Sequence, residues 1–545
     1  MSRKRPDGHG AKPQPDGLIS KQRASSRLFK KPHKTMRVVN AVRIIAVSTV
    51  ATILFVSGCL GPGGPEPSTP AGPGAQTHAT FLTTQVNTGG FEPRIAVGPD
   101  GTRWVSTQDK SGPEVVYSST DGGRTWQRTP TDPPAASPCC DNEIAVTPTG
   151  RVLTSIITGS AGSTQLDIQY TDDGGKTWTS SRGNALADQD RQWLAVGTKD
   201  PSTDQYLVYM LWHNLLSGSA QHEMFVSTSH DGGATFGPAV PITLPGSQAW
   251  NDLQCADSGG PSNIFANPKT GQVYAVFGTR SSALGGCGAS ATQQFEINVV
   301  AATRMWVATS NDQGVTWTNS LAVDDSAAGN IIGMQVDAGT IDHQGNVYVV
   351  YPESPQPYPN YDGAAVKYVW AAPDLGHWSK PITVEQQIDG GKQPGTGHIL
   401  THIVAGDPGK VALFYLKGEG TGNKSLWYPT VALTWNGLEA APQFEYTRVS
   451  IIPAWQGTAS QLMGVCNPFG ERFGPLSPAV NAAAGGFTCG RSSDVYGQAL
   501  DASCGPTFVW YADSKLNNES GGTYVTQQTA GPTLCTAQEA TAHAT

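Results

Sequence analysis

The sequence has no N-terminal apolar run long enough to cross a membrane as a helix. Residues 44–57 form a mostly apolar stretch of 14, where roughly 20 are needed to span the hydrocarbon. After residue 80 there is no helical periodicity of useful length, which leaves an all-β chain. No CxxC or His–Cys spacing of the kind that holds structural zinc is present. Positive charge is scarce beyond the first segment. Residues 1–58 carry 12 of the 35 Lys and Arg but only 2 of the 43 acids, leaving 23 basic against 41 acidic residues and a net charge of −18. A surface that acidic repels phosphate backbones, so nucleic acid is not an expected partner. The abundance of Gly (64), Pro (39) and Trp (14) suits a β protein with many tight turns.

The first 43 residues are polar and basic, and the apolar run that follows closes on Val56-Ser57-Gly58-Cys59. Basic residues, a short apolar core and small residues at a cut are the parts of a signal peptide. The ending resembles the bacterial lipobox, in which the cysteine becomes the lipidated first residue of the mature protein. The expected organisation is a signal peptide over residues 1–58 with lipidation at Cys59, and a Gly/Pro-rich tether over 59–84. A single folded domain over 85–535 and a disordered tail over 536–545 complete it. A lipid-anchored monomer on the outer face of a bacterial membrane is expected; an ordinary signal peptide with an incidental Cys is the alternative. Eight further cysteines fit an oxidising compartment. Neighbours suggest Cys255–Cys287, Cys466–Cys489 and Cys504–Cys535, leaving adjacent Cys139 and Cys140 to bridge each other or pair elsewhere.

An internal repeat decides the fold. Four segments match S/T-x-D-x-G-x-T-W/F. They are Ser119, Asp121, Gly123 and Trp126; Thr171, Asp173, Gly175 and Trp178; Ser229, Asp231, Gly233 and Phe236; and Ser310, Asp312, Gly314 and Trp317. Residues 372–378 look like a decayed fifth copy. Each residue type has a mechanical role. The hydroxyl and carboxylate cap backbone N–H groups within a turn. The Gly takes a positive φ, and the ring folds back as an apolar anchor between sheets. These aspartates are therefore read as structural. Ahead of each turn lies a strand–turn–strand unit such as Ile95-Ala96-Val97-Gly98-Pro99-Asp100-Gly101-Thr102-Arg103-Trp104-Val105. Seven units begin near residues 92, 142, 192, 262, 335, 399 and 492. The expectation is an all-β, β-propeller fold of seven four-stranded blades; six blades, with the last unit completing the first, is the alternative.

These turns and the Glu92-Pro93-Arg94-Ile95-Ala96-Val97 opening resemble the sialidase superfamily and its bacterial Asp-box relatives over roughly residues 85–530. The resemblance implies a propeller whose site lies on the inner strands. Sialidases clamp a substrate carboxylate with three arginines and attack with a Tyr, an exception to the two-carboxylate rule. Carried over, it gives Arg94, Arg191, Arg491 and Glu143 as substrate-binding residues, Tyr496 as nucleophile, and Asp190 or Asp141 as acid/base. The Pro that follows Arg-Ile in sialidases is missing after Ile95. Asp494, His398 and His402 also open units and face the same channel. The same residues can equally be read as ties between blades, and a calcium ion held by the ring acids is a further reading; no other cofactor or metal is expected. His213, His222 and His343 read as polar residues exposed at the surface, with no role in a site. The functional expectation is a cell-surface protein that binds, and as an enzyme would hydrolyse, an extracellular glycan or glycoconjugate. A non-catalytic scaffold for an envelope protein is the alternative.

Overall fold

Seven times along the chain an apolar strand runs into a turn of five or six residues and returns. In the computed structural model each turn is built the same way: an oxygen near its start accepts from amides ahead, and one residue takes a left-handed backbone. Asp501 Oδ1 accepts from Ser503 N–H at 2.9 Å and Gly505 N–H at 2.8 Å, and Asp342 Oδ1 accepts from Gln344 and Asn346 at 2.9 and 3.0 Å. The left-handed residue is Gly101, Gly150, Gly271, Gly345 or Gly409 in five units, Asp204 and Cys504 in the other two. Glycine dominates because a Cβ is resisted there.

The structure describes residues 78–536 except 91, 109–113, 135–137, 159–164, 184–188, 215–221, 256–259, 285–286, 288–301, 329, 333–337, 357–361, 387–395, 460–495 and 514–520; for 138–140 the backbone alone is described. Cys59 with the signal and tether residues before 78, Cys466, Cys489, Arg491, Asp494 and residues 537–545 lie outside them.

The strands form seven separate antiparallel sheets. Blade 1 comprises Arg94–Val97, Arg103–Gln108, Glu114–Ser119 and Gln127–Arg128. Blade 2 begins at Pro138–Val146, blade 3 at Gln189–Lys199 and blade 4 at Pro261–Ala266. Blade 5 opens with Ile331–Ile332 and Gly339–Ile341, which share the partner Val347–Ser354, and blade 6 with Gly397–Ala405. Blade 7 has three strands from the end of the chain, Gly497–Leu500, Pro506–Ala512 and Gly522–Ala530. Its outermost strand is Thr80–Asn87 from the beginning. The ring is thus seven-bladed, and the last unit is a blade of its own, closed by the N-terminal strand.

Middle strands are buried on both faces because each sheet is sandwiched between two others. Val152–Thr158 and Val347–Ser354 have no exposed residue, and Trp193, Trp212, Trp427 and Trp510 are fully buried. The aspartate turns join third and fourth strands as expected. In the first, Asp121 Oδ1 accepts from Arg124 and Thr125 N–H at 3.0 Å each, and Oδ2 from the Thr125 hydroxyl at 2.6 Å. Gly123 N–H donates to Ser119 Oγ at 2.8 Å. These bonds hold Asp121 below the usual carboxylate range and Asp173 at about 2. The rings lean on the preceding blade: Trp126 Nε1 donates to Thr84 Oγ1 at 3.0 Å, Trp178 to the Thr131 carbonyl at 3.1 Å. The decayed copy keeps that last function, with Trp378 Nε1 on Ser320 Oγ at 2.9 Å and Leu375 in the left-handed region.

Alternation of strand direction sorts the connections. Tight turns and aspartate turns share one face. Connections from second to third strand and from blade to blade leave from the other, including the longest, Arg448 to Gly497 and Thr279 to Arg304.

Candidate functional site

The inner strands reach the loop-bearing face through an irregularity repeated from blade to blade. The pairing register slips between Cys140 and Asn142, Asp190 and Trp193, Pro261 and Asn263, and Ile399 and His402. At the slips of blades 2, 3 and 6, Asp141, Arg191 and Leu400 hold φ of 32°, 53° and 52°, and Glu92, two residues before Arg94, holds 49°. A non-glycine residue held there costs about 1–3 kcal/mol, and a bulge re-aims the side chains that follow.

In blades 2 and 3 the residue after the left-handed position ties the blade to its neighbour. Asn142 Nδ2 donates to the Glu92 carbonyl at 3.0 Å, and Gln192 Nε2 to the Asp141 carbonyl at 2.7 Å. Asp141 N–H donates to Glu92 Oε2 at 2.6 Å. One residue on, Arg94, Glu143, Trp193 and Asn263 face the channel, a cavity of about 400 Å³ touched by the inner strands of all seven blades, which runs from these residues to the turn face, where Asn267, Lys269, Asp342 and His343 line it. Asn263 exchanges both amide bonds with the backbone of Gly339, at 2.7 and 3.1 Å.

Of the residues expected at the site, Arg94 and Glu143 come together directly. The guanidinium forks onto the carboxylate, Nη2 to Oε2 at 2.7 Å and Nε to Oε1 at 3.1 Å, lies 4.8 Å over the Trp193 ring, and donates to the Tyr496 carbonyl. Both side chains are buried. The Tyr496 side chain takes the inter-blade direction. Its hydroxyl donates to the Tyr511 carbonyl at 3.2 Å, and its ring packs on His402 and Phe414. Arg191 lies in blade 3, where a Cβ on Gly260 would meet its Cδ at 2.8 Å and the His213 ring at 3.2 Å.

Asp190 belongs to a cluster with two histidines that the sequence pattern did not bring to the site. His213 and His222, expected at the surface, are buried at 3% and 0% exposure. His213 Nδ1 lies 2.9 Å from His222 Nε2, and His213 Nε2 lies 3.5 Å from Asp190 Oδ2. Burial, and then the charge of Arg191, pushes His213 down to about 3, and burial beside His213 pushes His222 down as well. Both rings are neutral at neutral pH. One of the two facing ring nitrogens donates to the other. Gln254 brackets the chain end by exchanging bonds with the His222 backbone at 3.1 and 2.8 Å. The available signal was position: His213 ends Tyr206–Asn214, an apolar strand with no exposed residue.

The other rim residues are inter-blade ties. His398 Nδ1 meets the Ala364 carbonyl at 2.8 Å, and its Nε2 lies 3.3 Å from Glu385. Burial pushes Glu385 up, but bonds from His398, Lys417 and Tyr415 outweigh it and hold the carboxylate at about 2. His343, also expected at the surface, is partly covered on the opposite face, 3.2 Å from Asp407. The mouth on the loop-bearing face therefore holds a neutral imidazole pair beside the Asp190 carboxylate, ringed by inter-blade ties, while Arg94 is engaged by Glu143.

A family model described as a BNR repeat-like domain matches residues 95–437, from blade 1 to the end of the third strand of blade 6. No curated protein matches the chain. Among solved structures, the α-L-arabinanase of Penicillium chrysogenum complexed with arabinobiose is 13% identical, covers 67% of this chain and 97% of its own, and gives a TM-score of 0.39. An ulvan lyase bound to its saccharide is 9% identical over 84% of this chain and 98% of its own, with a TM-score of 0.46. A Hadza microbial sialidase is 11% identical over 78% and 76%, with a TM-score of 0.35. These likenesses are distant and concern the fold.

Proposed function

The chain belongs to the BNR repeat-like family, and from that footing we propose that it is an extracellular glycan-binding propeller, its site at the bulged mouth of the channel. One observation carries the reading. The same strained bulge is kept in three blades, at Asp141, Arg191 and Leu400, on the face that bears the longest connections, and strain of this kind gathers where binding residues must be aimed. The chemistry there suits hydroxyl-rich ligands. The neutral His213–His222 pair beside Asp190 offers uncharged hydrogen-bonding groups, and Trp193 lines the channel with an apolar wall, while Asn142, Gln192 and Asn263 are spent on the neighbouring blades. An acidic body with Arg94 engaged by Glu143 favours a neutral glycan over a polyanion.

Hydrolysis is the second branch. The Tyr496 hydroxyl on the Tyr511 carbonyl favours binding without a tyrosine nucleophile, while the Asp190 carboxylate, 3.5 Å from His213 Nε2, is the group that would serve proton transfer. Attachment through lipidated Cys59 would hold the propeller at the outer membrane face.

The test is a binding screen of the mature domain on a panel of neutral and acidic glycans, run beside fluorogenic sialosides and neutral glycosides. The expected result is binding of a neutral glycan that His213→Ala weakens at least tenfold. Binding confined to acidic glycans, or to none, would overturn the reading. Sialoside turnover abolished by Tyr496→Phe would move the protein to the enzyme branch with the tyrosine as nucleophile. Cys59→Ala should release the protein from membranes, and an unchanged membrane fraction would refute the anchor.

A further inference from the structure

The turn face carries a separate constellation. After its last strand the chain passes beneath blades 6 and 7 as a strap over Gly531–Thr536. Asp407 N–H donates to the Leu534 carbonyl at 2.7 Å, Leu534 N–H to the Cys504 carbonyl at 3.1 Å, and Thr536 N–H to Asp407 Oδ2 at 2.7 Å. Leu534 is fully buried, and the Cys504–Cys535 disulfide fastens the strap to the first turn of blade 7. His343, from the corresponding turn of blade 5, faces this bond. Its Nδ1 and Nε2 lie 3.8 and 3.9 Å from Cys535 Sγ, and Nδ1 lies 3.2 Å from Asp407 Oδ1. Ligand atoms of His343, Cys504 and Cys535 all fall within 4.8 Å of one another.

We propose that these residues form a latent metal site, occupied when the disulfide is reduced, that takes a zinc-class divalent cation through Cys504, Cys535, His343 and Asp407. The spacings support it. Zinc holds sulfur at about 2.3 Å and nitrogen or oxygen at about 2.0–2.2 Å in a tetrahedron, whose edges are then about 3.6 Å from sulfur to nitrogen and about 3.4 Å from nitrogen to oxygen. The sulfur–imidazole and imidazole–carboxylate distances here already sit near those edges, so the principal change needed is separation of the two sulfurs. That step is balanced. A dithiol reductant gives two electrons and two protons to the S–S bond, closing to its own disulfide, and the cation then displaces both thiol protons to buffer. Two thiolates, one carboxylate and a dication leave one negative charge, beside which Lys410 Nζ sits 2.7 Å from Asp407 Oδ2. The strap would thus be fastened under both conditions, covalently when oxidised and through the metal when reduced.

The test reduces the mature protein anaerobically with a dithiol, removes the reductant and titrates cobalt(II). Tetrahedral d–d bands with thiolate-to-cobalt charge transfer are expected, displaced by zinc, together with metal-dependent recovery of the melting temperature lost on reduction. His343→Ala keeps the disulfide and folds in the oxidised state; on reduction it should lose the charge-transfer signal or bind cobalt at least tenfold more weakly, as should Cys535→Ser. A cobalt spectrum unchanged in both variants would place binding at other cysteines and overturn the proposal. So would a reduced protein, mass-verified as open at Cys504 and Cys535, that gives no tetrahedral spectrum and no metal-dependent rise in melting temperature.

Discussion

Glu114 opens the third strand of blade 1 at 1% exposure, and its carboxyl is pushed up to about 8, chiefly by burial and further by the nearby charge of Asp167. The Ser106 hydroxyl donates to Oε1 at 2.6 Å and opposes the shift without cancelling it. The folded state therefore holds a proton that the unfolded chain, near 4.5, releases. Below pH 4.5 the group is neutral in both states and costs nothing. As pH rises toward 8 the folded protein loses stability relative to the unfolded chain, by about 1.4 kcal/mol per pH unit, reaching about 3 kcal/mol at pH 7. Glu114→Gln keeps the acceptor for Ser106, turns an amide toward Asp167 and removes the ionisation. The variant should lie within about 1 kcal/mol of the wild type near pH 5 and exceed it by about 4 kcal/mol at pH 8. Urea unfolding followed by Trp fluorescence at pH 5, 6, 7 and 8 reads this directly, the wild-type midpoint drawing away from the variant as pH rises. Parallel pH profiles would refute the reasoning, because a difference independent of pH cannot come from a proton bound only in the folded state.

Two other expectations concern the ties between blades. Trp126→Ala removes a ring that is half-buried against blade 7 and bonded to Thr84, so the cost should fall at or below the low end of the range for buried aromatics, about 2–3 kcal/mol; a melting temperature unchanged by the substitution would mean that the ring does not anchor the closing strand. Glu143→Gln takes the carboxylate from a buried guanidinium and should destabilise by about 3–5 kcal/mol, whereas a well-packed apolar replacement of both Arg94 and Glu143 should cost much less; equal losses in a denaturation series would refute the assignment of the penalty to desolvated charge.

The fold was legible because its determinants are local. An aspartate turn needs its hydroxyl, carboxylate, Gly and ring within eight residues, and the two-strand unit needs only a turn between apolar runs. Seven onsets and two disulfides, Cys255–Cys287 and Cys504–Cys535, followed from spacing. Ring closure was less legible, because Thr80–Asn87 carries no aspartate turn and its partner Gly522–Ala530 lies more than 400 residues away. The site was legible in part. That inner strands open on polar residues is visible in the sequence; which way each points is not, because a bulge of one residue turns every following side chain to the other side. Arg94 and Glu143 land on the channel, while Tyr496 falls on the inter-blade position that Asn142 and Gln192 occupy in their blades.

This offset bears on how the family's repeat constrains chemistry. The aspartate turns lie on one face and have their hydrogen bonds filled from within, so they hold the ring regardless of what the other face does. The left-handed residues at the inner strands are a second, independent repeat: each adds strain, and each places a different side chain there, Glu92, Asp141, Arg191 and Leu400. If closing the ring were their only role, glycine would serve at that step, as it does in five of the seven turns on the opposite face. Non-glycine residues there mean that the side chains themselves are needed, either to bond the next blade, as the Glu92 carboxylate bonds the Asp141 amide, or to meet a ligand. Glycine at Asp141 and at Arg191 separates the two. Relief of strain with stability maintained and glycan binding lost would place those side chains at the ligand; a fall in stability with binding unchanged would place them between the blades.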